Sequence, residues 1–121
     1  MPEHIRDSEY RKIERTVREL VSRLVRKDYD SIEILTAGVR LSSKHIRSAV
    51  EDYGRTLVEP PEAAFAAINV IRVLSCNPIR WSVRFDLWTV EEGRSDLTLE
   101  CSLEESSSEF LKCELDDLHV L

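Results

Sequence analysis

The sequence predicts one α+β domain, in which three N-terminal helices pack on a four-stranded antiparallel sheet. Apolar residues recur at three- and four-residue steps in the first part of the chain, at about residues 8–54. They recur at every second position in the last part, at about residues 66–120. Pro60-Pro61 separates the two patterns, and the length of 121 residues suits a single domain.

Three helices account for the first pattern. The first, at about residues 8–27, carries an apolar stripe made of Ile13, Val17, Leu20, Val21, Leu24 and Val25. A two-turn helix follows, where Asp30 and Glu33 have the spacing of a capping box. The third helix begins after Ser42 or Ser43 and ends at Gly54.

The second pattern predicts strands. Residues 68–75 are rich in β-branched side chains and favour a first strand, whereas Ala63–Ala67 before them favours a helix. Three longer strands then form a meander, with turns at about residues 91–95 and 104–108. The alternation slips at Asp116-Asp117, which indicates a bulge or a strand end. We expect Leu20, Leu24, Val83, Phe85, Leu97 and Leu99 to be buried between helices and sheet.

The cysteines indicate a reducing compartment. Cys76, Cys101 and Cys113 are odd in number, and no CxxC pair accompanies the three histidines, which argues against disulfides and structural zinc. Cys101 and Cys113 occupy inward positions, so we expect buried free thiols and a cytoplasmic location. The polar start and the lack of a long apolar run predict no membrane association.

Charge is divided unevenly along the chain. Of the net charge of −6, residues 86–121 contribute −9, from 2 Lys/Arg against 11 Asp/Glu, and the rest contributes +3. Such an acidic region repels nucleic acid and attracts basic partners. The first helix has a basic stripe without interleaved aromatic residues, so we interpret it as a solvated face and predict no nucleic-acid binding.

The residues with catalytic or ligating potential form no recognisable set. The candidates are His45, Asp52 and Tyr53 on the third helix, Cys76 in a turn, and His119 with Asp116 and Asp117 as metal ligands. Each has a simpler interpretation as a surface, rim or strand-end residue. With three glycines and no phosphate-binding loop, the sequence predicts no cofactor, catalytic site or metal site.

The outward positions of the sheet are the stronger candidate site. Their acidic residues would repel one another across strands unless they serve solubility or recognition. In the second interpretation, Trp88 and Phe110 are anchors within a ring of charge. The predicted binding residues are Arg84, Asp86, Trp88, Asp96, Glu100, Phe110 and Glu114.

This layout resembles the nuclear transport factor 2-like (SnoaL-like) cone superfamily. In the first half the resemblance rests on the opening helix, on Lys27-Asp28-Tyr29-Asp30 with Ile32 and Leu35, and on the helix ending in Tyr53-Gly54. In the second half it rests on residues 80–88, 95–99 and 116–121, which also resemble small uncharacterised bacterial proteins. The resemblance implies a curved, cone-like sheet. Enzymes of that superfamily place acids, histidines or tyrosines inside the cone, whereas the inward positions here are almost wholly apolar.

These observations predict a non-enzymatic protein-binding module, for example a bacterial immunity-type protein whose acidic sheet face binds a basic protein. The alternative is a cone-fold small-ligand binder or enzyme, such as an isomerase or dehydratase, with a pocket between helices and sheet. Either function is compatible with a homodimer formed through the sheet.

Overall fold

Helices precede an antiparallel sheet in the computed structural model, which describes residues 5–108 and 110–120 and confirms the predicted α+β class. The helices are α1 (Asp7–Val25), α2 (Tyr29–Leu35), α3 (Ser43–Tyr53) and a 3₁₀ helix (Glu62–Ala67). The strands are β1 (Leu57–Val58), β2 (Asn69–Val73), β3 (Arg80–Thr89), β4 (Gly93–Glu104) and β5 (Lys112–Val120). No helix in the described residues is both long enough and apolar enough to span a bilayer.

The described sheet has five strands, so the predicted number of four is wrong. Both β1 and β2 pair with β3, Val58 opposite Trp88 and Asn69 opposite Arg84, while β4 and β5 follow on the other side. The two short strands therefore lie end to end along one edge, and the sheet is four strands wide. The sheet starts at Leu57 rather than at about residue 66, because a two-residue strand shows no alternation.

Side-chain caps define the helix ends. Asp28 caps α2 by accepting a hydrogen bond from the Ser31 backbone N–H (3.4 Å), so the start predicted at Asp30 is wrong. Glu33 instead accepts from the backbone N–H of Ser43 (2.6 Å) and ties α2 to the start of α3. The predicted end of α3 is confirmed, since Gly54 takes the left-handed conformation (φ +73°) that favours glycine.

The helical stripe packs against the inner face of the sheet. All six residues predicted to be buried are at most 4% exposed, which confirms this interface. Phe65 of the 3₁₀ helix stacks on Phe85 with ring centroids 5.1 Å apart, and the Arg18 guanidinium lies 4.0 Å from the Phe65 centroid. The 3₁₀ helix after Pro61 thus contributes Phe65 to the core.

A bulge in β5 confirms the predicted irregularity. Glu100 pairs with Asp117 and Cys101 pairs with Leu115, which leaves Asp116 as the extra residue. Leu118 consequently points inward, where it is 6% exposed, and Asp117 lies on the outer face opposite Glu100. The bulge therefore decides which residues of the C-terminal strand reach the outer surface.

Candidate functional site

The outer face of the sheet, opposite the helices, is arranged in rows across β3, β4 and β5. In order along the strands, the rows are Arg80, Glu104 and Lys112; Ser82, Ser102 and Glu114; Arg84, Glu100 and Asp117; and Asp86, Thr98 and His119. Alternation along each strand gives the members of a row, but the pairing register decides which members meet.

Opposite charges meet in the first row. The Arg80 guanidinium lies 3.1 Å from a Glu104 oxygen and 3.7 Å from a Glu114 oxygen. Lys112 Nζ lies 3.8 Å from the other Glu104 oxygen. Glu104 is therefore held between two cations, one on each neighbouring strand.

Four side chains, two carboxylates, one guanidinium and one imidazole, meet in the middle of the face. Arg84 Nε donates to Glu100 Oε1 at 3.1 Å, and the second oxygen, Glu100 Oε2, contacts His119 Nε2. The other ring nitrogen, His119 Nδ1, lies 3.8 Å from Asp117 Oδ2. The imidazole is thus flanked by two carboxylates from two strands.

Like charges were expected to face each other on neighbouring strands. This arrangement is found for Glu100, which lies directly opposite Asp117. The expectation is wrong for Asp86, which lies opposite Thr98 and accepts a hydrogen bond from its hydroxyl (2.9 Å), and for Glu114, which lies opposite Ser102. The sequence shows which charged residues each strand carries but not how the strands pair. A prediction from sequence therefore overestimates the number of contacts between like charges.

Trp88 borders a shallow cleft at one end of the outer face. The cleft has a volume of about 180 Å³ and is lined by Ala64, Ala67, Phe85, Asp86, Trp88 and Arg94. Gly93, in the left-handed region (φ +75°), lets the chain turn beside the indole, where an added Cβ would lie 3.7 Å from the ring. The apolar surface of this cleft adjoins the Asp86 carboxylate and the Arg94 guanidinium, which lie 4.0 Å apart.

Besides Trp88, two predicted residues lie outside the rows. Phe110 is in the loop before β5, so its predicted place in the strand is wrong. The backbone N–H of Leu111 donates to Thr16 Oγ1 (3.2 Å) instead of to a neighbouring strand, and β5 starts one residue later. Asp96 is exposed beside the irregular pairing of β3 and β4, where its backbone N–H donates to the Tyr53 hydroxyl (3.3 Å).

Two of the three candidates on α3 contact neighbouring polar side chains, and the third, Asp52, is exposed. His45 is exposed, and its Nδ1 lies 3.1 Å from the Ser42 hydroxyl at the start of the helix. The Tyr53 hydroxyl donates to the Glu92 carboxylate at 2.8 Å, and burial together with this carboxylate raises the pKa of Tyr53. These contacts agree with the surface and rim interpretations of the two residues.

The cysteines are free thiols, as predicted. Cys101 and Cys113 are buried on the inner face, and Cys76 is half-buried. Burial raises the pKa of Cys101 strongly and raises that of Cys113 to about 11, so both remain protonated and unreactive near neutral pH.

Sequence reasoning missed the contact between Glu100 and His119. It grouped His119 with Asp116 and Asp117, its neighbours in sequence, although Asp116 bonds to Ser102 (2.6 Å) instead. The slip in alternation was the available signal, since a bulge at that point moves Asp117 and His119 onto the face of Glu100.

Comparison with known proteins assigns the chain to a family. No curated protein and no solved structure matches it. The sequence model of one family, described as a domain of unknown function (DUF7668), matches residues 21–121, and this range includes all the strands and every residue of the outer face. Because the match spans most of the sequence, the chain belongs to the DUF7668 family.

Proposed function

We propose that this domain binds a basic protein through the outer face of its sheet. The observation that carries the proposal is a surplus of carboxylates on the outer face, which α2 and the 3₁₀ helix border at its two ends. Within β3, β4 and β5, seven carboxylates stand against four arginine and lysine side chains. The carboxylates are Asp86, Asp96, Glu100, Glu104, Glu114, Asp116 and Asp117, and the cations are Arg80, Arg84, Arg94 and Lys112.

The ion pairs of this face support recognition rather than simple solubility. Arg84 and Arg80 hold the Glu100 and Glu104 carboxylates in fixed positions, which lowers the entropic cost of presenting them to a partner. The surplus negative charge attracts a basic surface during approach, over about 8 Å at physiological ionic strength.

Trp88 supplies the apolar part of the proposed interface. Its indole is half-buried beside the cleft of about 180 Å³, so a partner side chain placed there would be shielded from water. Tryptophan is among the residues that contribute most to binding at protein interfaces. Asp86 lies at the same cleft and offers an acceptor to an incoming arginine or lysine.

An immunity-type role is one form of this proposal. A carboxylate-rich surface can occupy the basic site with which a nuclease toxin binds phosphates. A non-enzymatic role is supported by the apolar inner face and by the structural contacts of His45 and Tyr53.

The proposal is tested by charge reversal on the two surfaces of the domain. The test variant combines Asp86→Lys with Glu114→Lys on the outer face. The matched control combines Glu51→Lys with Asp52→Lys, an equal change of charge on exposed positions of α3. Wild type and both variants are used to capture partners from a lysate, and the captured protein is then studied by binding kinetics at several salt concentrations.

We expect the outer-face variant to associate more slowly and with less salt dependence, while the α3 control behaves as wild type. Trp88→Ala should mainly increase the dissociation rate, because it removes an anchor without changing the charge. Equal capture by wild type and the outer-face variant contradicts the proposal. Light scattering of the purified protein checks whether the captured partner is a second copy of the chain.

A second candidate function is small-ligand binding. This function would follow from membership of the cone superfamily, which we also propose. It is favoured by a cleft of about 320 Å³ between the sheet and residues 35–39, which are the last residue of α2 and the segment after it. Arg80, Glu104 and Glu114 line this cleft beside Leu35. Mass spectrometry of the natively purified domain tests this function, since a retained small molecule supports it and an empty protein supports protein binding.

A further inference from the structure

We propose that Glu100, Asp117 and His119 form a binding site for a divalent first-row transition-metal cation such as Zn²⁺. The site lies within the outer face, but it needs no partner protein, so it stands or falls independently of the proposed interaction. Sequence analysis predicted no metal site, because the three residues meet only through the β5 bulge and its register.

The ligand geometry comes from two neighbouring strands. Glu100 and Asp117 are directly opposed in the pairing of β4 and β5, and His119 lies two positions beyond Asp117 on the same face. One potential ligand atom from each of the three residues lies within 4.8 Å of the other two. This spacing lets a single ion contact all three after small side-chain rotations.

Each carboxylate already has one oxygen occupied and the other facing the imidazole. Glu100 Oε1 accepts from Arg84 Nε (3.1 Å), which leaves Oε2 against His119. Asp117 Oδ1 accepts from the backbone N–H of Leu118 (2.9 Å), which leaves Oδ2 on the side of His119. Outer contacts of this kind orient ligands in metal sites.

The charge balance around Asp117 gives an independent reason to expect a cation. Within the described residues, five of the other six carboxylates on β3, β4 and β5, all except Asp96, have an arginine or lysine nitrogen within 4.0 Å. Among the described residues, Asp117 has no such arginine or lysine and lies only beside the His119 ring nitrogen at 3.8 Å, although Glu100 lies directly opposite it. Two opposed carboxylates, of which only Glu100 is paired with an arginine, are unfavourable unless a further positive charge lies between them.

The donor set indicates which class of cation fits. Two carboxylates and one neutral imidazole suit Zn²⁺ and its neighbours, whereas Ca²⁺ and Mg²⁺ prefer oxygen ligands alone. Three protein ligands leave one position for water, and Asp117 is half-exposed, with 52% of its side chain accessible, so solvent can reach the site. The two carboxylates also neutralise the charge of the ion.

A protonated His119 that bridges the two carboxylates would make the same contacts without a metal, and the experiment separates these states. The protein is prepared without a histidine tag and stripped with a chelator, and Zn²⁺ is then titrated calorimetrically at pH 7.5. We expect one Zn²⁺ per chain, no competition from excess Mg²⁺, and a shift of the His119 imidazole NMR signals. Absence of binding, or binding that leaves these signals unchanged, overturns the proposal.

Variants locate the site. His119→Ala and Glu100→Gln should each weaken Zn²⁺ binding by more than about tenfold, the lower end of what even the loss of an outer-shell partner costs. Asp116→Asn and His45→Ala are the matched controls, because these side chains lie outside the three-residue group and should leave the affinity unchanged. If His45→Ala or Asp116→Asn weakens binding as much as His119→Ala does, the proposed ligand set is wrong.

Discussion

The two faces of β3, β4 and β5 are built from alternate residues of the same strands but are stabilised differently. The inner face consists almost entirely of side chains with no access to water, such as Val83, Leu99 and Leu103. The outer face consists mostly of charged side chains that are partly exposed and make ion pairs, together with serine and threonine. An inward side chain is therefore stabilised by burial whichever residue lies opposite it. The ion pairs of the outer face form only where the register places opposite charges next to each other.

The largest expected effect comes from the inner face. Leu99 is completely buried in the central strand of the apolar cluster, so Leu99→Ala leaves a cavity and should lower the free energy of unfolding by about 2–5 kcal/mol. Urea unfolding measures the loss. Ser82→Ala, on the exposed outer face of the neighbouring strand, is the control and should change stability by less than about 0.5 kcal/mol. A loss below about 1 kcal/mol for Leu99→Ala would show that the two faces do not differ as described.

A smaller effect is expected where the sheet is irregular. The buried Ser95 hydroxyl donates to the Leu87 carbonyl (2.7 Å) and accepts from the Leu97 N–H (3.2 Å), which satisfies backbone groups at the gap in the pairing. Ser95→Ala leaves these groups without a partner and should cost about 1–3 kcal/mol in chemical denaturation. If Ser95→Thr, which keeps a hydroxyl, is as destabilised as the alanine variant, packing rather than hydrogen bonding explains the loss.

The comparison of the two faces also explains which predictions from sequence succeeded. Burial of Leu20 and Phe85 follows from apolar periodicity, and the bulge at Asp116 follows from two leucines placed an odd number of positions apart. Gly54 marked a helix end because a left-handed conformation favours glycine. Each of these features depends on residues close together in sequence.

The failures depend on residues far apart in sequence. β1 forms because Val58 pairs with Trp88 on β3, and a two-residue strand is too short to show an alternating pattern in the sequence. Phe110 leaves the predicted strand because Thr16, on α1, binds the backbone N–H of the next residue. The contact between Glu100 and His119 likewise depends on a pairing between β4 and β5 that alternation alone does not specify.

The buried thiols predict a pH dependence that originates on the inner face. Burial raises the pKa of Cys113 to about 11 and raises that of Cys101 as well, whereas an unfolded thiol ionises near about 8.5. Between these values the unfolded chain loses protons that the folded chain retains, so stability falls as pH rises, by up to about 1.4 kcal/mol per pH unit for each thiol. Below about pH 8 both states are protonated and no such dependence arises.

Urea unfolding at pH 8, 9 and 10 measures this slope. The double variant Cys101→Ala with Cys113→Ala should lose stability at every pH but show a flatter alkaline decline than wild type. Cys76→Ala, which removes a half-buried thiol outside the core, is the control. An unchanged slope in the double variant would mean that other groups cause the alkaline decline.

The smallest expected effect belongs to the ion pairs of the outer face. Glu104 contacts both Arg80 and Lys112, yet all three side chains remain partly exposed, so water and salt screen the attraction. Glu104→Gln removes the charge and keeps the shape, and it should cost about 0.2–1 kcal/mol in low salt and less in 1 M salt. Glu51→Gln on α3 is a control for the general effect of removing one negative charge. A loss above about 2 kcal/mol that persists in high salt would mean that the outer face stabilises the fold as much as the core does. The charge variants designed to test binding would then first have to be checked for unfolding.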